Sequence, residues 1–188
     1  MNIIKSNYFP LEITNFKDIQ QSLLMKYKHY LDHNILFSES VLWSKENFLE
    51  LYLEIEQHFL KFDAKVLRSR FFMTPVGREL ETHIDGTRQR DDYWALNIPI
   101  LCDNSNHWQE WFDYDGEIEN LSDSIYTSYI MPKNEKQLVS IDRLTLTTPH
   151  FVKIGRFHKI INQSTQPRLV LSIRFSTSNL ENLIIGML

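Results

Sequence analysis

Residues 138–175 read LVSIDRLTLTTPHFVKIGRFHKIINQSTQPRLVLSIRF, and this stretch decides the fold. Pro149, Gly155 and Pro167 divide it into apolar runs, because these residue types end strands and form turns. The division predicts four short strands: Leu138–Thr147, His150–Ile154, Phe157–Ile161 and Leu169–Phe175. Short strands joined by close turns are typical of an antiparallel sandwich, jelly roll or barrel.

The strand pattern begins upstream of this stretch, at about residue 64. Tyr93–Leu101 (YWALNIPIL) is a nearly continuous apolar run, which predicts a strand covered on both faces. Three further strands are predicted at Lys65–Met73, Leu80–Ile84 and Trp108–Tyr114, and the last runs into Asp115-Gly116, a dipeptide typical of hairpins. We therefore predict a mainly β fold with seven or eight strands in residues 65–176.

The first third of the chain predicts two amphipathic helices beside this β core. Apolar residues recur at spacings of three and four over Phe16–Leu31, and again from Ser44, a suitable N-cap, to Asp63. We interpret both apolar stripes as surfaces that face the core. One domain is predicted over 1–188, with a mainly helical N-terminal layer (1–64), the β core (65–176) and a C-terminal strap or short helix (177–188).

Composition narrows the class of function. The 188 residues carry a formal charge of -4, and no basic block is present, which argues against nucleic acid or an anionic membrane as partner. No window approaches the ~20 apolar residues of a membrane span. Cys102 is the single cysteine, so no intrachain disulfide is possible and a reducing, cytoplasmic compartment is expected. The expected partner is a small-molecule or peptide substrate, and the sequence predicts no oligomeric state.

The segment His83-Ile84-Asp85 holds the strongest chemical signal. On an extended chain, residues two apart point to the same face, so the imidazole and the carboxylate converge just before Gly86. With His158 as a second, distant imidazole, they form a set of two histidines and one carboxylate, which leaves three adjacent positions open on Fe(II). Seven histidines make a His-x-Asp match easy by chance, so the hypothesis depends on its context.

Arg168 supplies that context, because it follows His158 by ten residues. The stretch Asn162–Pro167 reads as a turn, so we expect His158 and Arg168 on neighbouring antiparallel strands. An arginine there can form a bidentate pair with a dicarboxylate whose other end chelates the metal.

These segments together resemble a known family. RSRFFMTPVGRELETHIDG (68–86), YWALNIPI (93–100) and FHKIINQSTQPRLVLSIRF (157–175) look like the 2-oxoglutarate/Fe(II)-dependent oxygenases over residues 64–176. Within these, the sequence is most similar to the aspartyl/asparaginyl β-hydroxylase-like and proline hydroxylase-like branch. The resemblance implies a double-stranded β-helix (jelly roll, cupin-like). It also implies Fe(II) held by His83, Asp85 and His158, with 2-oxoglutarate and O2 as cosubstrates and Arg168 on the distal carboxylate. The implied reaction is hydroxylation of a free amino acid or a peptide side chain.

Other positions leave alternatives open. Many relatives carry a hydroxyl two residues after the arginine, but Val170 stands there, so the second contact to the distal carboxylate is not identified. Asn97 and Tyr93 are candidates for cosubstrate contact or are buried polar residues bonded to backbone. Arg70 and Arg78 bind an acidic substrate group or are solvated charges at a strand edge.

Two other classes of function remain possible at this stage. The first is a cupin-type metal enzyme that does not use 2-oxoglutarate, which would not need Arg168 near the metal. The second is a catalytically silent β-helix that serves as a binding or structural module, which would bind no metal. His107 and His150 are expected to be non-ligands, and the acidic run from Asp113 to Glu119 lacks the pattern of a calcium loop.

Overall fold

The computed structural model describes residues 6–32, 35–59, 64–86, 93–102, 105–122, 128–175 and Ile184. Two α-helices are present in these residues: α1 (Phe16–Tyr27) and α2 (Lys45–Phe59). They accompany thirteen strands: β1 (Tyr8–Pro10), β2 (Phe37–Val41), β3 (Val66–Thr74), β4 (Arg78–Glu79), β5 (Ile84–Asp85), β6 (Trp94–Leu101), β7 (His107–Asp113), β8 (Ile118–Ser122), β9 (Ser128–Pro132), β10 (Val139–Leu144), β11 (His150–Lys153), β12 (His158–Asn162) and β13 (Arg168–Phe175). The predicted end of α2 at Asp63 and nearly all of the tail 177–188 lie outside the described residues.

The strands form three antiparallel sheets. The largest has six strands in the order β1-β11-β6-β13-β3-β2, the second has the order β10-β7-β12-β4, and the smallest has the order β5-β9-β8. Trp111 of the second sheet packs with Ala95, Val152 and Val170 of the largest, so these two sheets enclose a common interior. This mainly β architecture with two helices confirms the predicted fold class.

Both helices cover the outer face of the six-stranded sheet. Buried residues of α1 and α2 pack in one cluster with those of β3, β6 and β13. Ser44 caps α2, since its hydroxyl accepts a hydrogen bond from the Asn47 N–H at 3.3 Å. The predicted core-facing stripes are therefore confirmed, except that Leu49 is 59% exposed. No helix in the described ranges is long and apolar enough to cross a membrane.

The strand prediction was incomplete. β1 and β2 of the mainly helical N-terminal layer extend the largest sheet, and neither strand was predicted. β8 and β9 also went unpredicted, and Asp115-Gly116 is not a hairpin turn because β8 pairs with β9 rather than with β7. The predicted strand Leu80–Ile84 was wrong in extent: β4 ends before it, and His83 makes a single bridge to His158.

The prediction that His158 and Arg168 lie on neighbouring antiparallel strands was wrong as well. β12 pairs with β7 and β4 in the four-stranded sheet, whereas β13 pairs with β3 and β6 in the six-stranded sheet. The turn between them therefore carries the chain from one sheet to the other. Local turn residues bend the chain in the same way whether the next strand returns beside the first or crosses to a facing sheet, so the sequence did not separate the two cases.

Strand β13 shows how the fold builds a polar interior. Every residue of this strand is buried, yet Leu169, Leu171 and Ile173 belong to the core under the helices. The alternate residues Arg168, Val170, Ser172 and Arg174 line a cavity on the opposite face. The two-residue period of a strand thus separates an apolar face from a face that carries charge.

Candidate metal centre and its cavity

The structure brings His83, Asp85 and His158 together at one end of the cavity. Backbone hydrogen bonds run both ways between His83 and His158, at 3.0 and 2.9 Å, and Asp85 N donates to Ile154 O at 3.0 Å. One potential ligand atom from each of the three side chains lies within 4.8 Å of the other two. Among the described residues, no other group of His, Cys, Asp and Glu meets this condition. The arrangement can hold a single divalent ion.

Both imidazoles are held in the same tautomer. Nδ1 of His83 lies 2.8 Å from the carbonyl oxygen of Glu81, and Nδ1 of His158 lies 2.9 Å from that of Arg156. A carbonyl oxygen can only accept, so in the neutral form of each ring Nδ1 carries the proton and Nε2 keeps its lone pair. This backbone support orients both Nε2 atoms for a metal ion before one binds.

Asp85 is paired with a buried arginine. Arg174 Nη2 donates to Asp85 Oδ2 at 2.6 Å, and Asp85 Oδ1 lies 3.5 Å from His83 Nε2. Burial by itself would raise the pKa of the Asp85 carboxyl, but Arg174 and the two imidazoles outweigh burial and hold it well below its usual range. The carboxylate is therefore ionised at neutral pH.

The pKa values of the two imidazoles shift in opposite directions. Burial and the neighbouring His83 lower the pKa of His158 to about 4, so this ring is neutral at neutral pH. Burial also opposes charge on His83, but the hydrogen bond and the charge of Asp85 raise its pKa above the usual value. A metal ion therefore finds one free imidazole and competes with a proton for the other.

Arg168 lies in the same cavity, which has a volume of about 580 Å³. Arg168 is only 3% exposed, and its Nε and Nη2 have no hydrogen-bond partner among the described residues. Burial lowers the pKa of this guanidinium. An unpaired buried cation is costly, so the site is built for an anion that the protein does not itself supply.

A hydrogen-bond chain links the metal end of the cavity to Gln109. Arginine can only donate, so Ser172 Oγ accepts a hydrogen bond from Arg174 Nη1 at 2.8 Å and donates one to Asn97 Oδ1 at 2.6 Å. Asn97 Nδ2 then donates to Gln109 Oε1 at 3.5 Å. The direction of these hydrogen bonds leaves Gln109 Nε2 as a donor, and this buried atom has no hydrogen-bond partner in the described part of the chain.

The remaining candidates are placed as follows. Asn97 lines the cavity, whereas Tyr93 is not among its lining residues and uses its carbonyl oxygen to accept from Ile154 and Gly155. Arg78 is exposed on β4, but Arg70 lies on β3, an interior strand of the sheet, so the strand-edge interpretation was wrong for Arg70. His107 and His150 belong to no metal-type cluster in the described part of the chain.

Arg174 and Gln109 are the residues that the sequence analysis did not assign to the site. A signal for Arg174 was present, because residues six apart on a strand share a face and Arg168 had already been placed in the cavity. Gln109 lies two residues before Trp111 on β7 and therefore shares its face, which also predicts an inward side chain. Neither pattern indicated which partner the side chain would meet.

The cavity fits the two groups that the sequence resemblance implies. At one end, two imidazole Nε2 atoms and a carboxylate form the donor set of a non-haem iron site. At Arg168 and Gln109, three buried N–H groups lack an acceptor, which suits the carboxylate of a second ligand. Both groups share one cavity, as a chelating dicarboxylate requires.

Comparison with known proteins bears on the fold. No family model matches the chain, and no curated protein sequence matches it. A viral collagen prolyl hydroxylase from Paramecium Bursaria Chlorella virus-1, solved as a 2OG complex, is 12% identical with a TM-score of 0.51, covering 93% of this chain and 98% of its own. HygX from Streptomyces hygroscopicus with iron bound is 8% identical with a TM-score of 0.57, covering 90% of this chain and 82% of its own. AviO1 from Streptomyces viridochromogenes Tue57 is 12% identical with a TM-score of 0.52, covering 91% and 90%.

The similarity extends over nearly the whole length of both chains in each pair, at identities too low to transfer an activity. It confirms the double-stranded β-helix that the sequence resemblance implies. The chain therefore has the fold of the Fe(II)/2-oxoglutarate-dependent oxygenases.

Proposed function

We propose that the protein is an Fe(II)/2-oxoglutarate-dependent oxygenase that hydroxylates a free amino acid or a peptide side chain. The observation that carries the proposal is Arg168, a buried guanidinium with two unpartnered N–H groups in the cavity of the His83, Asp85 and His158 cluster. A metal site alone would not need this cation, and a structural arginine would have a partner.

The roles of the residues follow from their positions. His83, Asp85 and His158 would hold Fe(II), which in such sites couples the oxidative decarboxylation of 2-oxoglutarate by O2 to oxidation of a C–H bond. Arg168 would bind the distal carboxylate of 2-oxoglutarate through Nε and Nη2. Arg174 orients Asp85 and neutralises part of its charge.

Gln109 is placed to make the contact that a hydroxyl at position 170 would otherwise make. Val170 lines the cavity without a polar group, so β13 offers no second donor beside Arg168 at that position. Gln109 Nε2 reaches the same cavity from the facing sheet and is unpartnered. We assign to Gln109 the second contact with the distal carboxylate. Its amide is oriented by Asn97, which thereby acts as a positioning residue.

The walls of the cavity support oxidation of a bound substrate. Phe72, Ile154 and Ile160 contribute apolar surface near the charged groups, which lowers the local dielectric and excludes water. The viral prolyl hydroxylase solved as a 2OG complex and HygX solved with iron share the fold, which is compatible with the same cofactors here. A cytoplasmic location belongs to the proposal, since Fe(II) and the single thiol Cys102 suit a reducing compartment.

Binding of 2-oxoglutarate to the Fe(II)-loaded protein, measured by calorimetry without oxygen, tests the proposal. We expect saturable binding by the parent and binding at least about 10-fold weaker by Arg168→Lys, because a bidentate fork becomes a point charge. Arg78→Lys, an exposed matched control, should bind as the parent does. Iron binding without 2-oxoglutarate binding would favour the cupin-type alternative, and absence of iron binding would favour the silent module.

A further inference from the structure

Ser172 is a buried residue of the cavity to which the proposed function gives no role. On β13 it lies two residues before Arg174, so both side chains point to the inner face, and it lies directly opposite Asn97 of β6. Ser172 is 5% exposed. Its Oγ lies 2.8 Å from Arg174 Nη1 and 2.6 Å from Asn97 Oδ1, so the hydroxyl joins a charged group to a neutral amide.

The charged neighbour fixes the direction in which the Ser172 hydroxyl donates. A guanidinium only donates, and Arg174 is itself held in place because its Nη2 donates to Asp85 Oδ2 at 2.6 Å. Ser172 Oγ therefore accepts from Nη1, and its single proton is left for Asn97 Oδ1. Without such a neighbour, a hydroxyl can either donate to an amide or accept from it, because its proton rotates.

The two amides of the hydrogen-bond chain need this direction from outside. An amide group has nearly the same shape when it is turned end for end, so shape does not decide which of its atoms faces a neighbour. Because Asn97 Oδ1 accepts from Ser172, Asn97 Nδ2 is left to donate to Gln109 Oε1 at 3.5 Å. Gln109 is 2% exposed and therefore presents Nε2, a donor, at its free end. A reversed Gln109 amide would present an acceptor in the same place.

We infer that Ser172 is a positioning residue that makes the anchor end of the cavity, formed by Arg168 and Gln109, selective for a carboxylate over a carboxamide. The inference rests on the proposed function and deepens it, because it identifies what holds Gln109 as a donor. Arg168 contributes two N–H groups without a partner in the described chain, so these two side chains together offer donors only. A carboxylate accepts from all of them, whereas a carboxamide brings an NH2 group for which neither side chain has an acceptor.

Removal of the Ser172 hydroxyl should weaken this selectivity. Either orientation of the Asn97 amide then leaves one of its atoms without the partner that Ser172 supplied, so neither orientation is favoured. Gln109 follows Asn97 and presents a donor or an acceptor with similar ease. The penalty for a carboxamide decreases, and the affinity for a carboxylate decreases as well.

Ser172→Thr and Ser172→Val form a matched pair for the test. Both side chains are branched and similar in shape, but Thr keeps the hydroxyl and Val replaces it by a methyl group. Each protein is loaded with Fe(II) without oxygen, and calorimetry measures its affinity for 2-oxoglutarate and for 2-oxoglutaramate, in which a carboxamide replaces the distal carboxylate. We expect the parent and Ser172→Thr to prefer the carboxylate, and the ratio of the two affinities to be about 10-fold smaller for Ser172→Val, as for loss of one hydrogen bond to a charged group.

A second background separates positioning from a structural role. Gln109→Leu removes the amide through which Ser172 acts, so adding Ser172→Val to it should leave the affinity ratio unchanged. A Ser172 that only supports the wall would lower the ratio in both backgrounds. Ser69→Val is the control, because it removes a buried hydroxyl of the same sheet that donates to Val41 O at 2.7 Å, and it should keep the parent's ratio.

Three results would each overturn the inference: a Ser172→Val protein with the parent's ratio, a Ser172→Thr protein with a ratio as low as that of Ser172→Val, or an equal fall of the ratio in the Gln109→Leu background. If the branched side chains prevent folding, Ser172→Cys gives the same comparison, because a thiol fills the space but is a weak donor and acceptor. Failure of the proposed function is distinguishable, since the parent would then not bind 2-oxoglutarate at all, and the inference would fall with it.

Discussion

Both faces of the six-stranded sheet are buried, but the outer face is apolar and the inner face carries charged side chains. On the outer face, Phe71, Leu171 and Ile173 are each 0% exposed and pack in the cluster that the helices cover. On the inner face, Arg168 and Arg174 are 3% and 6% exposed and retain unpartnered N–H groups. Apolar burial stabilises a fold, whereas burial of unpaired charge opposes folding. The difference indicates that the helical side supplies stability and that the inner side is retained for its ligands.

Phe71→Ala is expected to have the largest effect on stability. The Phe71 ring centroid lies 4.5 Å from that of Tyr27 and 5.1 Å from that of Tyr30. Its removal leaves a cavity and should lower the free energy of unfolding by about 3–5 kcal/mol, measured by urea denaturation. Metal affinity of the folded fraction should not change. Leu67→Ala on the same strand, at a site 66% exposed, should change stability by less than about 0.5 kcal/mol.

Asp85→Ala, on the inner side, should lower the free energy of unfolding almost as much. The substitution leaves Arg174 buried without its carboxylate, which should cost about 3–5 kcal/mol in the metal-free protein. Adding Arg174→Met should recover most of this loss, since no unpaired charge then remains. Glu117→Ala breaks the exposed pair with Lys133 and should cost less than about 1 kcal/mol. If Asp85→Ala proved as mild as Glu117→Ala, the pair would not be buried in solution.

Lowering the pH should destabilise the metal-free protein because His158 is buried in its neutral form. Its pKa falls from 6.5 to about 4 on folding, so between these values the unfolded chain binds more protons than the folded one. The free energy of unfolding should therefore decrease as pH falls through this window, by up to about 3 kcal/mol. Folding raises the pKa of His83, so its contribution to the free energy of unfolding is lost as pH rises above 6.5. Denaturation curves of the parent and His158→Ala should converge towards pH 4; parallel curves would contradict a neutral, buried His158.

Arg168→Met should have the smallest effect on stability and the opposite sign. Replacing an unpaired buried cation by an apolar side chain should raise the free energy of unfolding by about 1–3 kcal/mol when no ligand is present. The same variant should lose binding of 2-oxoglutarate. A destabilised Arg168→Met protein would mean that the guanidinium has a structural partner and that the inner face is not kept for a ligand.

The sequence predicted those parts of the molecule that follow from local periodicity. The i, i+2 spacing of His83 and Asp85 placed both side chains on one side, and the apolar run at 93–101 was correctly read as a strand buried on both faces. Four strands were missed. Polar residues interrupt β2 and β8, whereas β1 is only three residues long and both β1 and β9 end at a proline.

Contacts between distant parts of the chain were beyond such reasoning. Asp85 and Arg174 are 89 residues apart, and their pairing depends on the position of the three-stranded sheet relative to the six-stranded sheet. The hydrogen-bond chain that orients Gln109 likewise crosses from the six-stranded to the four-stranded sheet. Alternation along a strand gives the direction of a side chain, but only the arrangement of sheets gives its partner.

The affinity of the protein for Fe(II), measured without oxygen near neutral pH, tests most directly whether the inner face is a metal site. The parent should bind one ion, and His158→Ala should bind it more than about 100-fold more weakly, because loss of a ligand exceeds the effect of losing its supporting groups. His150→Ala, which removes a histidine outside the cluster, should bind as the parent does. Equal affinities of the parent and His158→Ala would contradict the account.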